Sequence, residues 1–136
     1  MHRLRFAWLA GVFFAGCSSA PPELPPVSGT VTYQGAPVEG AIIVFHPAEA
    51  GDLQPAQATT DSNGQFAIST HVGQGEYQPG LAPGKYLVEI SKREAAADFT
   101  NPPRHLLPEK YASVKTSELT AVVPAEGAEA LEFALE

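Results

Sequence analysis

The chain predicts an all-β fold, a sandwich of short strands. Apolar and polar residues alternate with a period of two over several short segments. Gly, Pro, Asn and Asp punctuate those segments about every ten residues. No segment keeps a helical apolar period over three turns. Seven such segments in the 136-residue chain describe a β-sandwich.

The first strand is predicted at 27–33, with Val27, Gly29, Val31 and Tyr33 on one face and Ser28, Thr30 and Thr32 on the other. Gln34-Gly35-Ala36-Pro37 turns the chain. The second strand, 41–45, reads Ala-Ile-Ile-Val-Phe, apolar on both faces, which predicts a central strand covered on both sides. A third at 57–60 leads through Asp61-Ser62-Asn63-Gly64 into a fourth at 65–70, where Phe66 and Ile68 share a face. Gly64 tolerates positive φ and the Asp61 carboxylate can accept from backbone N–H groups two residues on, so this is a hairpin. The fifth, 84–91, turns Tyr86, Val88 and Ile90 inward. Strands at 117–123 and 130–135 complete the seven, the last setting Leu131, Phe133 and Leu135 against Glu132 and Glu136.

Two stretches break this rhythm. Residues 71–83 are rich in Gly and Pro and read as a loop. Residues 92–116 form a longer one, of a length uncommon without function or local structure. Within it Glu94-Ala95-Ala96-Ala97 allows one helical turn, and Pro102, Pro103 and Pro108 stop anything longer. Loops carry function more often than sheet faces do. The candidate interaction surface is therefore this loop, with Phe99, Arg104, His105 and Tyr111 as its candidate residues.

The amino terminus carries a different signal. Arg3 and Arg5 precede an apolar run that ends at Cys17, ahead of Ser18-Ser19-Ala20-Pro21-Pro22. A basic tip, a short apolar stretch and small residues at a cut point make an export signal. The run is about half the ~20 residues that a membrane-spanning helix needs. Phe14-Ala15-Gly16-Cys17 resembles the lipobox of bacterial lipoproteins, with phenylalanine where leucine is usual. That resemblance implies diacylglycerol on the Cys17 thiol, cleavage after Gly16 and acylation of the new amine. One acyl chain holds marginally, at ~0.8 kcal/mol per buried CH₂, whereas two or three hold firmly.

The expected organisation is a signal peptide at 1–16, a lipidated proline-rich tether at 17–26 and one domain at 27–136. Four prolines within residues 18–26 make the tether a semi-rigid spacer of about 25–30 Å. Such a protein is extracytoplasmic and contacts a bacterial membrane only through lipid on Cys17. Ser18 is compatible with sorting to the outer membrane rather than the inner.

Composition narrows the possible partners. Cys17 is the only cysteine, so no disulfide can form within the chain. Cleavage removes Arg3 and Arg5, which leaves six Lys and Arg against 15 Asp and Glu and moves the formal charge from −7 to −9. That balance argues against nucleic acid, where neutralising phosphates supplies most of the affinity. It also repels anionic headgroups, leaving the lipid as the membrane contact.

Three motifs point to a family. They are Gly29-Thr-Val-Thr-Tyr-Gln-Gly-Ala-Pro-Val-Glu-Gly-Ala-Ile-Ile-Val-Phe45, Thr60-Asp-Ser-Asn-Gly-Gln-Phe66 and Pro83-Gly-Lys-Tyr-Leu-Val-Glu-Ile90. In order and spacing they resemble the opening, the central hairpin and a later strand of carboxypeptidase regulatory-like (transthyretin-like) domains. Leu107-Pro-Glu-Lys-Tyr111 followed by Thr116-Ser-Glu-Leu-Thr120 is similar to small lipoproteins of Planctomycetes. The resemblance covers 27–136 and implies a seven-stranded Greek-key, prealbumin-like sandwich, usually non-catalytic. Tyr33, Phe45, Phe66 and Tyr86 are expected to fill its core.

Chemistry finds little purchase in this sequence. His2 leaves with the signal, and His46, His71 and His105 lack the short spacings of zinc sites. Asp61-Ser-Asn-Gly64 begins like a calcium loop, but Phe66 and Val72 occupy the positions where an EF-hand needs glycine and glutamate. The transthyretin-like hydrolases of 5-hydroxyisourate end in Tyr-Arg-Gly-Ser, and this chain ends in Glu132-Phe-Ala-Leu-Glu136. No Gly-x-Ser-x-Gly elbow occurs. The expected function is thus a non-catalytic module, without cofactor, that contacts an envelope protein. The alternative is a carbohydrate-binding module using Tyr77, Phe99 and Tyr111 for stacking; Trp8, the only tryptophan, is lost with the signal.

Overall fold

In a computed structural model of the protein, residues 23–95 and 98–136 are described. The expected signal peptide, Cys17 and most of the expected tether lie outside the described residues, as do Ala96 and Ala97 of the anticipated helical turn. The alternating segments become strands β1 (Val27–Tyr33), β2 (Ala36–Pro37), β3 (Ile42–Pro47), β4 (Ala56–Thr59) and β5 (Gln65–Ala67). They continue as β6 (Ser69–Gly73), β7 (Glu76–Pro79), β8 (Gly84–Ser91), β9 (Leu119–Val123) and β10 (Ala128–Leu135). One 3₁₀ turn, Glu109–Ala112, precedes β9, and the described residues contain no α-helix.

These strands form two sheets. In the four-stranded sheet β1 lies beside β10, which runs parallel to it, and pairs antiparallel with β2 and β5. The six-stranded sheet has the order β7-β6-β4-β3-β8-β9, antiparallel throughout. The predicted strand at 65–70 divides between the two. Ile68 forms the corner, donating its N–H to Val27 O at 2.8 Å and accepting from Gly80 N at 2.9 Å. β5 thereby stays with β1 while β6 joins β4.

Alternation places the core between the sheets in a sandwich-like arrangement. Phe45 of the larger sheet meets Phe66 and Phe133 of the smaller at ring-centroid distances of 6.5 and 6.2 Å. Tyr86 closes on Phe45 edge-on at 6.1 Å. Val31, Ile43, Val88, Ile90 and Leu81 are fully buried around them. Each such side chain contributes roughly 1.5–3 kcal/mol on leaving water. Tyr33 is only partly buried, packed at the margin of this core.

Four expectations change. β3 is central, but its second face is open to solvent: Ile42 is 49% exposed. Residues 71–83 are not a loop throughout, because β6 and β7 make a hairpin. Its turn residues Gln74 and Gly75 have φ of 52° and 76°, the doubly positive geometry whose twist matches a two-residue hairpin. Glu94 and Ala95 are not helical. Finally, the strands number ten among the described residues, since β2, β7 and the break at Ile68 add to the seven.

The two ends of the sheets differ in what they hold. Leu24–Pro26 are docked at one end: Leu81 N donates to Pro25 O at 3.0 Å and Ala128 N to Pro26 O at 2.9 Å. Those three residues belong to the domain rather than to a free spacer. The same end carries the Val27↔Ala128 and Gly84↔Val123 pairs. The opposite end carries Tyr33↔Leu135 and Ile42↔Ser91, so the chain leaves β8 there and enters the long loop.

Candidate interaction surface

The first half of the 92–116 loop is a pinned protrusion. Leu106 N donates to Lys92 O at 2.8 Å and Glu94 N to Arg104 O at 3.0 Å, with Arg93 and His105 bridged between them. Arg104 clamps Glu94 in two-pronged fashion, Nε to Oε2 at 3.1 Å and Nη2 to Oε1 at 2.9 Å. The bond and charge of Arg104 hold the Glu94 carboxyl below the usual glutamate range, and Glu94 in turn raises Arg104. Beyond the clamp, Asp98 Oδ1 accepts from Thr100 N and Asn101 N at 2.8 and 3.0 Å, a local turn. Phe99 lies on this turn, fully exposed.

The second half folds back onto the sheets. Leu107 and Tyr111 are buried, Tyr111 at 6% exposure. The Tyr111 hydroxyl accepts from Glu136 N at 3.1 Å, tying the loop to the end of β10. Lys110 Nζ sits 4.8 Å from the centre of the Tyr111 ring. Ser117, also buried, donates from Oγ to Val88 O at 2.6 Å. Tyr111 is thus a packing residue and is not exposed for stacking, which corrects its place among the surface aromatics. The long loop acquires this local order because its second half contains apolar residues at Leu107 and Tyr111 that the sandwich can cover.

The four candidate residues therefore do not form one constellation. Phe99 is free at the turn, Arg104 is committed to Glu94, and Tyr111 is inside. The His105 side chain is mostly covered, with Nε2 4.0 Å from Glu109 Oε1.

The other histidines lie on the large sheet. His46 Nε2 is 3.3 Å from Glu89 Oε2, and the His71 ring meets Tyr77 edge-on at 5.2 Å. Among the described residues no group of three or more His, Cys, Asp or Glu is placed to hold a metal ion. The Asp61 carboxylate serves the hairpin, accepting from Asn63 N at 2.9 Å and Gln65 N at 3.0 Å.

A shallow groove on the open face of the large sheet was not foreseen. Val44, His46, Pro55, Gln57, His71 and Tyr77 line it. Tyr77, 52% exposed, forms one wall, and its hydroxyl accepts from Gln57 Nε2 at 3.5 Å. The β6–β7 hairpin builds that wall, and its only sequence signal is Gln74-Gly75 between short alternating runs. No helix among the described residues is long and apolar enough to cross a membrane. Comparison with protein-family models, with curated proteins and with solved structures gives no match.

Proposed function

We propose that the protein is a non-catalytic lipoprotein, lipid-anchored at Cys17, that presents its 92–106 protrusion to another protein of the bacterial envelope. In this reading the sandwich is of the Greek-key, carboxypeptidase regulatory-like type. The observation that carries the proposal is polarity: Leu24–Pro26 dock at one end of the sheets and the protrusion leaves the other. Cys17 stands six positions before Glu23, a distance an extended chain covers in at most about 22 Å. A lipid on Cys17 therefore holds the docked end near the membrane and turns Phe99 away from it.

Photocross-linking in intact cells tests the presentation. A benzoylphenylalanine replacing Phe99 is expected to give one dominant protein adduct, and the same group at Glu49, near the docked end, none. Equal labelling from both positions contradicts the reading. The open groove supports a second reading, sugar binding, because an exposed tyrosine ring beside Gln57 and His71 offers a stacking face with hydrogen-bonding neighbours. Retention on envelope-polysaccharide gels that Tyr77→Ala abolishes favours that alternative.

A further inference from the structure

β10 ends the four-stranded sheet with a side that nothing among the described strands covers. It pairs with β1 alone. Its eight residues exceed every other rim: β9 has five, β7 four with Pro79 at its end, β5 three, and β2 two with Pro37. The register shift in the β1–β10 ladder falls between Val27 and Gly29, so Leu131–Leu135 run on in unbroken register with Gly29–Tyr33. No proline or lysine occurs from 125 to 136. Natural sheets normally blunt a rim of this length with such residues, because its unpaired N–H and C=O groups template another strand.

Charge selects what can pair there. Glu129 and Glu132 are exposed on β10, with Glu126 and Glu136 at its ends. Asp61, Ser28, Thr30 and Gln65 line the same outer groove as Glu129 and Glu132. No strand of this sheet carries Lys, Arg or His, and the described chain holds all its Lys and Arg between 85 and 115. A second β10 would bring glutamates against glutamates, which destabilises directly opposed cross-strand pairs. Lys or Arg in those positions reverses the sign.

We propose that β10 takes an extended, Lys- or Arg-bearing segment of a partner protein as an added strand. Main-chain bonds to the rim supply the attachment, and basic side chains facing Glu129 and Glu132 supply the selection. This inference does not depend on the lipid anchor or on the protrusion.

The probe is a fluorescent, end-capped octapeptide of alternating lysine and valine, titrated against the full chain in neutral detergent. A glutamate-valine octapeptide is the control. We expect saturable binding at low salt, at least tenfold tighter than the control, weakening as salt rises, with slowed hydrogen exchange at the amides of 131–135. The double variant Glu129→Lys/Glu132→Lys loses at least tenfold in affinity. Glu49→Lys/Glu76→Lys, the same charge change away from the rim, keeps the binding and guards against a folding failure of the first variant. Equal binding of both peptides overturns the proposal, as does binding without protection of β10. A concentration-dependent dimer that protects the same amides overturns it in favour of a second copy.

Discussion

Phe45 is the residue on which the two sheets meet, since its ring contacts Phe66, Phe133 and Tyr86 together. Phe45→Ala removes those contacts and leaves a cavity, so urea unfolding is expected to show a loss of about 3–5 kcal/mol. An unchanged midpoint would contradict a shared core. Tyr86 adds a polar tie at the same place, donating from its hydroxyl to Ala82 O at 2.7 Å. Burial raises its phenol pKa. A neutral form favoured by folding contributes fully below the unfolded value of ~10 and is lost as pH rises through the folded one. Tyr86→Phe is therefore expected to cost roughly 0.5–1.5 kcal/mol at neutral pH and to flatten the alkaline fall in stability. Identical alkaline profiles would contradict this role. Inward residues such as Phe66, Ile68 and Tyr86 were legible from alternation alone. The burial of Tyr111 was not, because its partner, the backbone at Glu136, lies 25 positions away and only the fold brings it near.

Elements were legible in proportion to their local alternation. β1 and β8 occupy 27–33 and 84–91, as their patterns predict. The β6–β7 hairpin escaped because its turn residues are Gln74-Gly75, and a glutamine at positive φ leaves little trace in composition. The apolar outer face of β3 misled in the opposite way: Ile42 and Val44 describe a covered strand, yet that face lies open. Contact between β1 and β10 is close enough to exclude a side chain at Gly29, whose added Cβ would run into the Leu131 carbonyl and Cβ. Gly29→Ala should thus force β10 off β1, speeding hydrogen exchange across 128–135 while β3 and β8 stay protected. Uniform exchange in the variant and the parent would contradict that packing. The Arg104–Glu94 clamp makes an acid-side prediction for the protrusion. Arg104 lowers the Glu94 pKa, so the clamp is complete above the ordinary glutamate value of ~4.3 and opens as pH falls through the lower folded value. Backbone NMR signals of Glu94 and Arg104 are expected to move together only at pH below the ordinary glutamate value, and in Glu94→Gln to show no such step.

At the scale of the molecule, charge is asymmetric, and so is the attachment proposed above. All Lys and Arg of the described chain fall between 85 and 115, while the four-stranded sheet has acids alone among its charged residues. The sequence displays that division only once the strand order is known, because 27–33 and 128–135 are neighbours in space and not in the chain. Attachment follows the same logic. On the proposed reading Cys17 and the proline-rich run form a tether, and the docking of Leu24–Pro26 fixes which end of the sheets it would serve. The function proposed here needs that tether to be real, since a freely diffusing domain presents no end in particular.

Intact-mass and peptide mass spectrometry of the membrane-extracted protein addresses this requirement directly. The chain is expected to start at Cys17 and to carry diacylglycerol on the thiol and an acyl group on the amine, with Cys17→Ala released from the membrane fraction. A wild-type chain recovered in soluble form with an unmodified thiol would contradict it.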